Sequence, residues 1–251
     1  MDPVARRAFA RPTLAGRALT PLALTALLAL PARAQPDDHH HHHHHPPAAA
    51  PGAAGPGAAP ASDHGGHGHA IGPAGGTYDL RWIDAMVQHH TGALRMSEFM
   101  FDIGQPGVGA LARTIWSDQA REIKAMGQWR RAWYPQAPVY PVAYRAGGDP
   151  DSLQGLERMS SAQINAMRMG DGTPTRQNRV VWFLEGMLMH HGGALQMAHD
   201  ARAKSTNPTV RRLARQIIAA QRREIISLRG MLRREGLNKP AYHRFDQLFA
   251  F

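Results

Sequence analysis

The sequence contains no cysteine among its 251 residues. A disulfide framework is therefore excluded, and no thiolate is available to bind a metal. Any site for a soft metal ion must use methionine sulfur and histidine nitrogen, and the chain has 12 Met and 16 His. These ligands are not lost to disulfide formation in an oxidising compartment, although thioethers can be oxidised to sulfoxides.

The motifs of several enzyme classes are also missing. No Glu is followed three residues later by His, although a ferritin-type di-iron centre requires such pairs on two helices. Nucleophile motifs, phosphate-binding loops and dinucleotide fingerprints are absent too. The chain is basic, but no nucleic-acid-binding motif accompanies its arginines, which are scattered along helical patterns. We therefore expect neither catalysis nor nucleic-acid binding.

Residues 1–34 have the features of an export signal. Arginines precede an apolar run from Ala18 to Leu30, and Ala32-Arg33-Ala34 matches the small-x-small site of a signal peptidase. Arg6-Arg7 also resembles a twin-arginine signal. The run is shorter than the about 20 residues of a membrane anchor. The protein is thus predicted to be periplasmic or secreted, with no membrane span, and cleavage removes five Arg and one Asp, which lowers the net charge from +10 to +6.

Residues 35–76 form a Pro/Ala/Gly-rich arm that holds ten of the 16 histidines. The arm lacks hydrophobic periodicity, so we expect it to be disordered. A purification tag would also explain His39–His45, but the spacing of His64, His67 and His69 is unlike a tag and favours a natural arm. Such an arm would capture copper(II), zinc or nickel loosely.

The rest of the chain repeats itself. Trp82–Met96 matches Phe183–Met197 at an offset of 101 residues, and similar residues downstream recur at an offset of 102. Each half is predicted to form two helices with apolar residues at helical spacing, over residues 78–101 and 108–133, then 175–203 and 209–234. Two helical hairpins that bury their apolar stripes against each other make an all-α four-helix bundle.

The predicted bundle spans residues 77–236. It consists of a first hairpin (77–134), an irregular linker with a short helix that Ser160 or Ser161 caps (135–174), and a second hairpin (175–236). A tail follows at 237–251. Strand patterns are nearly absent.

Metal-binding residue types cluster on the first helix of each half. On an α-helix, Met86, the adjacent histidines and the next two methionines cover about one third of the circumference. Thioether sulfur and imidazole together suit copper(I), with silver(I) as a second candidate. The predicted ligands are Met86, His89, His90, Met96, Met100, Met187, His190, His191 and Met197, with His199, Met126 and Met231 as additional candidates.

Other interpretations of these residues stay open. Buried methionines usually fill cores, and one histidine of each pair could be structural, held by a carboxylate such as Asp84 or Glu185. The recurring residues Gln119 and Glu122, with their counterparts Gln221 and Glu224, could support the ligands or simply pack the bundle. The rival functions are zinc or nickel buffering by the arm with the bundle as scaffold, an oxidase, and a structural interaction module.

The doubled motif Met-x-x-His-His-x-x-Ala-x-x-Met, at Met86–Met96 and Met187–Met197, resembles the family of domain of unknown function 305. The likeness covers about residues 78–236. It implies a ferritin-like, exported, two-repeat bundle, and some members are described as periplasmic copper-binding proteins linked to copper resistance. Metal ions, and other periplasmic copper-handling proteins, are the implied partners. The family often has Pro directly before the His pair, where this chain has Gln88 and Met189, so we expect unkinked helices there.

Overall fold

The computed structural model describes residues 69–104, 107–169 and 172–250. The predicted signal segment and most of the histidine-rich arm, including His39–His45, His64 and His67, lie outside the described residues. Within these ranges most residues are helical, which confirms the all-α prediction. The helices are α1 (Tyr78–Glu98), α2 (Val108–Trp133), α3 (Ser161–Arg168), α4 (Arg179–Lys204) and α5 (Pro208–Arg234), and two short strands are β1 (Val142–Tyr144) and β2 (Leu156–Arg158).

The four long helices lie where their apolar periodicity predicts them, with small differences at the ends. Helix α4 begins a few residues later than expected because Thr175 and Asn178 form a turn of reciprocal bonds, in which each backbone N–H donates to the other side chain. At the start of α5, the Asn207 side chain accepts from the Thr209 N–H, and Pro208 occupies the first helical position. Helices α1 and α4 run unbroken through Gln88 and Met189, as expected without proline.

The two hairpins, α1–α2 and α4–α5, meet through α1 and α4. These two helices run antiparallel, because α1 residues of rising number contact α4 residues of falling number. The Tyr78 hydroxyl donates to Asp200 over 2.8 Å, and the Trp82 indole donates to the Met197 carbonyl over 2.9 Å. The centre of the bundle therefore lies between the middle turns of α1 and α4, where both histidine pairs are found.

The linker after the first hairpin holds two short strands that the sequence analysis does not predict. Strands β1 and β2 pair antiparallel, with Val142 opposite Arg158 and Tyr144 opposite Leu156. Helix α3 begins with a capping box, as expected, since the Ser160 and Gln163 side chains each accept from the other residue's backbone N–H. Strands of three residues are too short to show an alternating pattern in the sequence.

Corresponding carboxylates of the two halves hold the segment that follows each hairpin. Asp84 on α1 accepts from the Arg130 guanidinium at 2.5 Å and from the Val142 N–H at 2.8 Å, which binds β1 to the first hairpin. Glu185, 101 residues later, accepts from Lys239 at 2.6 Å and from the Tyr242 hydroxyl. The C-terminal tail thus packs on α4 much as the linker packs on α1.

Residues 69–76, which the sequence places in the disordered arm, lie against the bundle. Ile71 is buried, and its carbonyl accepts from the buried Arg81 guanidinium at 2.6 Å. Lys204 donates to the Gly72 carbonyl over 2.9 Å. A buried apolar residue with backbone contacts on two helices explains why this end of the arm is ordered.

None of the helices in the described part of the chain is long and apolar enough to cross a membrane.

Candidate metal centre

Four histidines meet at the centre of the bundle. The imidazole centroids of His89 and His190 are 3.7 Å apart, and the rings of His90 and His191 lie 6.4 and 6.2 Å from their sequence neighbours. All four side chains are fully buried. The predicted pairs are therefore brought together by the antiparallel crossing of α1 and α4.

The second helix of each hairpin supplies a carboxylate to this cluster. Glu122 Oε2 lies 2.7 Å from His90 Nε2, and Glu224 Oε2 lies 2.8 Å from His191 Nε2. The first contact has hydrogen-bond geometry, whereas the second does not meet the geometry of a hydrogen bond. The carboxylates that face the histidines are thus Glu122 and Glu224, while Asp84 and Glu185 hold the linker and the tail.

All four histidines have a buried Nδ1 atom without a hydrogen-bond partner among the described residues. In His190, Nε2 donates to the His89 carbonyl over 2.8 Å, and a carbonyl can only accept. In His90, Nε2 faces a carboxylate, which also accepts. In the neutral form of either ring the proton is therefore on Nε2, and Nδ1 carries a lone pair that accepts from no donor among the described residues.

Burial also keeps two of these rings in the metal-binding form. Desolvation holds the pKa of His89 well below its ordinary value of 6.5, and the neighbouring His190 lowers it further. Desolvation likewise holds the pKa of His190 well below 6.5, with His191 as the next contribution. Both rings are thus neutral at neutral pH, and only a neutral imidazole can bind a metal.

The five predicted thioether ligands are all buried in the same core as the histidines: Met86, Met96, Met100, Met187 and Met197. Met86 and Met187 precede the histidines by one helical turn, which places sulfur and imidazole on one face. Met96 follows His89 by two turns, about 10 Å along the axis.

The antiparallel crossing brings methionines of each helix close to the other helix. The Met96 sulfur lies 3.5 Å from the Cβ position of Gly186, beside Met187. Met197 lies beside Trp82, one turn from Met86. Met96 and Met197 therefore lie close to the chain segments that carry Met187 and Met86.

Within the described ranges, no group of three or more His, Asp and Glu side chains is arranged to hold a metal ion by itself. A closed nitrogen and oxygen cage, such as zinc prefers in structural sites without cysteine, is therefore not formed by these residues. The available donor set is imidazole with thioether, and this combination favours a soft ion.

His69 is a fifth histidine at this cluster, and sequence analysis placed it only in the arm. Its ring centroid lies 5.3 Å from that of His89, at an angle of 62°. Its approach depends on Gly193, because a Cβ at that position would lie 2.6 Å from His69 Nε2. The glycine in the motif was visible in the sequence, but nothing indicated which side chain would use the space.

The three additional candidate ligands differ in where they lie. Met126 is fully buried in the core, whereas Met231 is only partly buried at its edge. His199 is turned away, since its Nε2 pairs with the Leu248 carbonyl at 2.9 Å.

Gln119 and Gln221, one turn before Glu122 and Glu224, are buried, and the carbonyl oxygen of each side chain has no hydrogen-bond partner within the described residues.

Comparison with known proteins gives one family. The family model described as domain of unknown function (DUF305) matches residues 79–232 and 180–247. No curated protein matches the chain.

Solved structures of similar fold include CopM in its Cu(I)-bound form, with 25% identity over 62% of this chain and 96% of that chain, and a TM-score of 0.46. They also include a DUF305 fragment from Deinococcus radiodurans, with 28% identity over 65% and 99% of the two chains and a TM-score of 0.46. A DUF305 protein from Streptomyces coelicolor has 25% identity over 64% and 95%, and a TM-score of 0.47. These superpositions are loose, so no ligand position is transferred from them.

Proposed function

This chain belongs to the DUF305 family, and we propose that it binds copper(I) at the centre of its bundle, using imidazole nitrogens and thioether sulfurs. Silver(I) would occupy the same donors, since it shares the preference for soft ligands. The proposed ligands are the nine residues that the sequence predicts, with His89, His90, His190 and His191 as the central set and Met86 and Met187 as the methionines one turn away.

One observation carries the proposal: four buried Nδ1 atoms have no hydrogen-bond partner among the described residues. An unsatisfied buried polar group costs about 1–3 kcal/mol, and native cores keep few of them. Four such atoms in one cluster would therefore cost several times that amount. A bound cation would remove this cost for each nitrogen that carries a lone pair, because the lone pair would then have an acceptor.

The surroundings favour copper(I) over harder ions. The neutral, polarisable thioethers suit a soft monovalent ion, whereas zinc prefers tetrahedral sites with several nitrogen, oxygen or thiolate ligands. The carboxylates Glu122 and Glu224 contact the outer nitrogens of His90 and His191. Such contacts orient ligating imidazoles and raise their basicity.

We place this activity outside the cytoplasm. The features of residues 1–34 support export by a signal peptide, to the periplasm or the medium. Because the sequence lacks cysteine, an exported copper site built on methionine and histidine avoids loss to disulfides. The role that fits is sequestration or transfer of copper, without catalysis, and other exported copper-handling proteins are candidate partners.

The test is an anaerobic copper(I) titration against a competing chelator, with wild-type protein and a Met86→Leu/Met187→Leu double variant. Leucine keeps the volume of methionine at small cost in stability, so the fold should survive. We expect tight copper(I) binding by the wild type and at least about tenfold weaker binding by the variant, in the range that ligand-site changes produce. Equal copper(I) affinities of the wild type and the variant would show that these two thioethers do not bind the ion.

A zinc or nickel buffer run by the histidine-rich arm is the alternative. It is tested with a variant in which residues 35–68 are deleted, leaving the packed residues from His69 onward. Retention of tight copper(I) binding supports the bundle site. Loss of all tight metal binding would support the arm instead.

A further inference from the structure

The two halves of the bundle differ at one pair of corresponding glycines. Gly92 on α1 and Gly193 on α4 lie at the same position of the repeated motif, 101 residues apart. A Cβ at Gly92 would meet the backbone carbonyl of Arg168, at the end of α3. A Cβ at Gly193 would instead meet the imidazole of His69. Main chain therefore packs on Gly92, whereas a side chain packs on Gly193.

Gly193 leaves a space that two imidazole nitrogens share. The position of a Cβ there is 2.6 Å from His69 Nε2 and 3.1 Å from His89 Nε2. Both nitrogens thus flank a point that any larger residue would fill. His89 Nε2 is buried without a hydrogen-bond partner in the described part of the chain, whereas the equivalent nitrogen of His190 donates to the His89 carbonyl.

Solvent access distinguishes His69 from the other four histidines. His89, His90, His190 and His191 have no exposed surface, whereas His69 is partly exposed. The Nε2 atom of His69 is itself buried, so an ion arriving from solvent meets the exposed edge of the His69 ring before it meets any of the buried rings. Its T-shaped contact with His89 places the next donor directly behind it.

We propose that His69 is the entry ligand of the copper centre: its ring, which packs on Gly193 beside His89, binds an incoming copper(I) ion and passes it to His89. The inference rests on the proposed function. In the transfer, a bond forms between copper and His89 while the bond to His69 still holds, and the latter then breaks. The ion stays copper(I) throughout, so no electron is exchanged.

The experiment measures the rate at which the full-length protein takes copper(I) from a chromophoric chelator under anaerobic stopped-flow conditions. His69→Ala is expected to slow the transfer at least about tenfold, on the scale of other changes close to metal ligands, and to leave the equilibrium affinity within a few-fold of wild type. His243→Ala is the matched control, because His243 is an exposed histidine that pairs with Asp246 in the C-terminal tail. The control should match wild type.

Gly193→Ala tests the shared space independently. The added methyl group must displace the His69 ring, so transfer should slow in the wild-type background and not slow further in a His69→Ala background. An unchanged rate in His69→Ala, or an additive effect of the two changes, would overturn the proposal.

A third variant separates this proposal from the proposed function. If His89→Ala abolishes tight binding but His69→Ala leaves the rate unchanged, only the entry role is lost. If neither change affects copper(I) uptake, the copper centre and its entry ligand are both wrong. Nuclear magnetic resonance gives a second readout, since the ring-nitrogen signals of His69 should shift during the first additions of copper(I), and unmoved signals would contradict the proposal.

Discussion

His90 on α1 and Glu122 on α2 are joined by a contact of 2.7 Å between Nε2 and Oε2, which fixes the ring in the bundle interior. At the corresponding position of the second half, Glu224 lies 2.8 Å from His191, without hydrogen-bond alignment. Each hairpin therefore supplies both a candidate ligand and the carboxylate that orients it. The site is built from two similar halves, and it is completed where α1 and α4 cross.

Replacing Glu122 with Gln should weaken copper(I) binding about 10-fold to 100-fold, because the ring of His90 loses a charged acceptor that orients it and raises its basicity. Glu224→Gln should cause a smaller loss, since its contact with His191 lacks hydrogen-bond alignment. Competition titrations measure both affinities. Glu98→Gln is the control, because Glu98 is exposed at the end of α1. Equal affinities in all three variants would show that the carboxylates only pack the bundle.

Replacing His190 with Ala should lower the copper(I) affinity by at least about 100-fold, since it removes a central donor whose ring lies against His89. His199→Ala should leave the affinity within about twofold of wild type, because His199 lies nine residues later on α4 and pairs with the tail. The same titration compares them. A larger loss of copper(I) affinity in His199→Ala than in His190→Ala would indicate that the site lies near the C-terminal tail instead.

The stability of the metal-free protein should depend on pH in a defined direction. The pKa values of His89 and His190 are well below 6.5 in the native state, so below about pH 6.5 the unfolded chain binds more protons than the native chain. The contribution of the two rings to the free energy of unfolding is therefore fully present above that pH. It falls as the pH drops, by up to about 1.4 kcal/mol per pH unit for each ring.

Urea unfolding between pH 7.5 and 5 measures this decline. A His89→Gln/His190→Gln variant, which cannot take up protons at these positions, should show a shallower dependence on pH. A variant with the wild-type slope would place the acid sensitivity elsewhere in the chain.

Gly92→Ala should destabilise the protein by about 1–3 kcal/mol or more, because the added Cβ would clash with the backbone carbonyl of Arg168 and force α3 away from α1. Gly127→Ala, also within a helix, should instead stabilise it by about 0.5–1 kcal/mol, since the nearest atom lies 3.7 Å away on the flexible Arg131 side chain. Thermal or urea unfolding measures both changes. Equal effects would mean that α3 does not pack tightly at Gly92.

The helices could be predicted from the sequence because their signals are local. Apolar spacing, Asn207 with Pro208, and the Ser160 capping box place the helices to within a few residues. The clustering of the histidines was also predictable, since two helices that repeat one motif can bring both pairs to a common centre.

The partners of the site could not be predicted in the same way, because they depend on packing between distant segments. Asp84 and Glu185 are closer in sequence to the histidines than Glu122 and Glu224, yet they bind the linker and the tail. His69 carried only the composition of a flexible arm, and the space at Gly193 that receives it is a property of the folded bundle. Sulfur positions across α1 and α4 likewise depend on the crossing of the helices.

The bonds of Asp84 and Glu185 have a consequence for how the molecule could be divided. Each carboxylate anchors the stretch of chain that comes after its own hairpin, so a half of the protein comprises a hairpin together with its trailing segment. A break between β2 and α3 would leave α3 outside the first half, whereas a break just before α4 would keep both halves whole. A protein intended to reassemble from two polypeptides should therefore be divided just before α4. The second fragment must extend through the buried Phe245, which packs on Gly192.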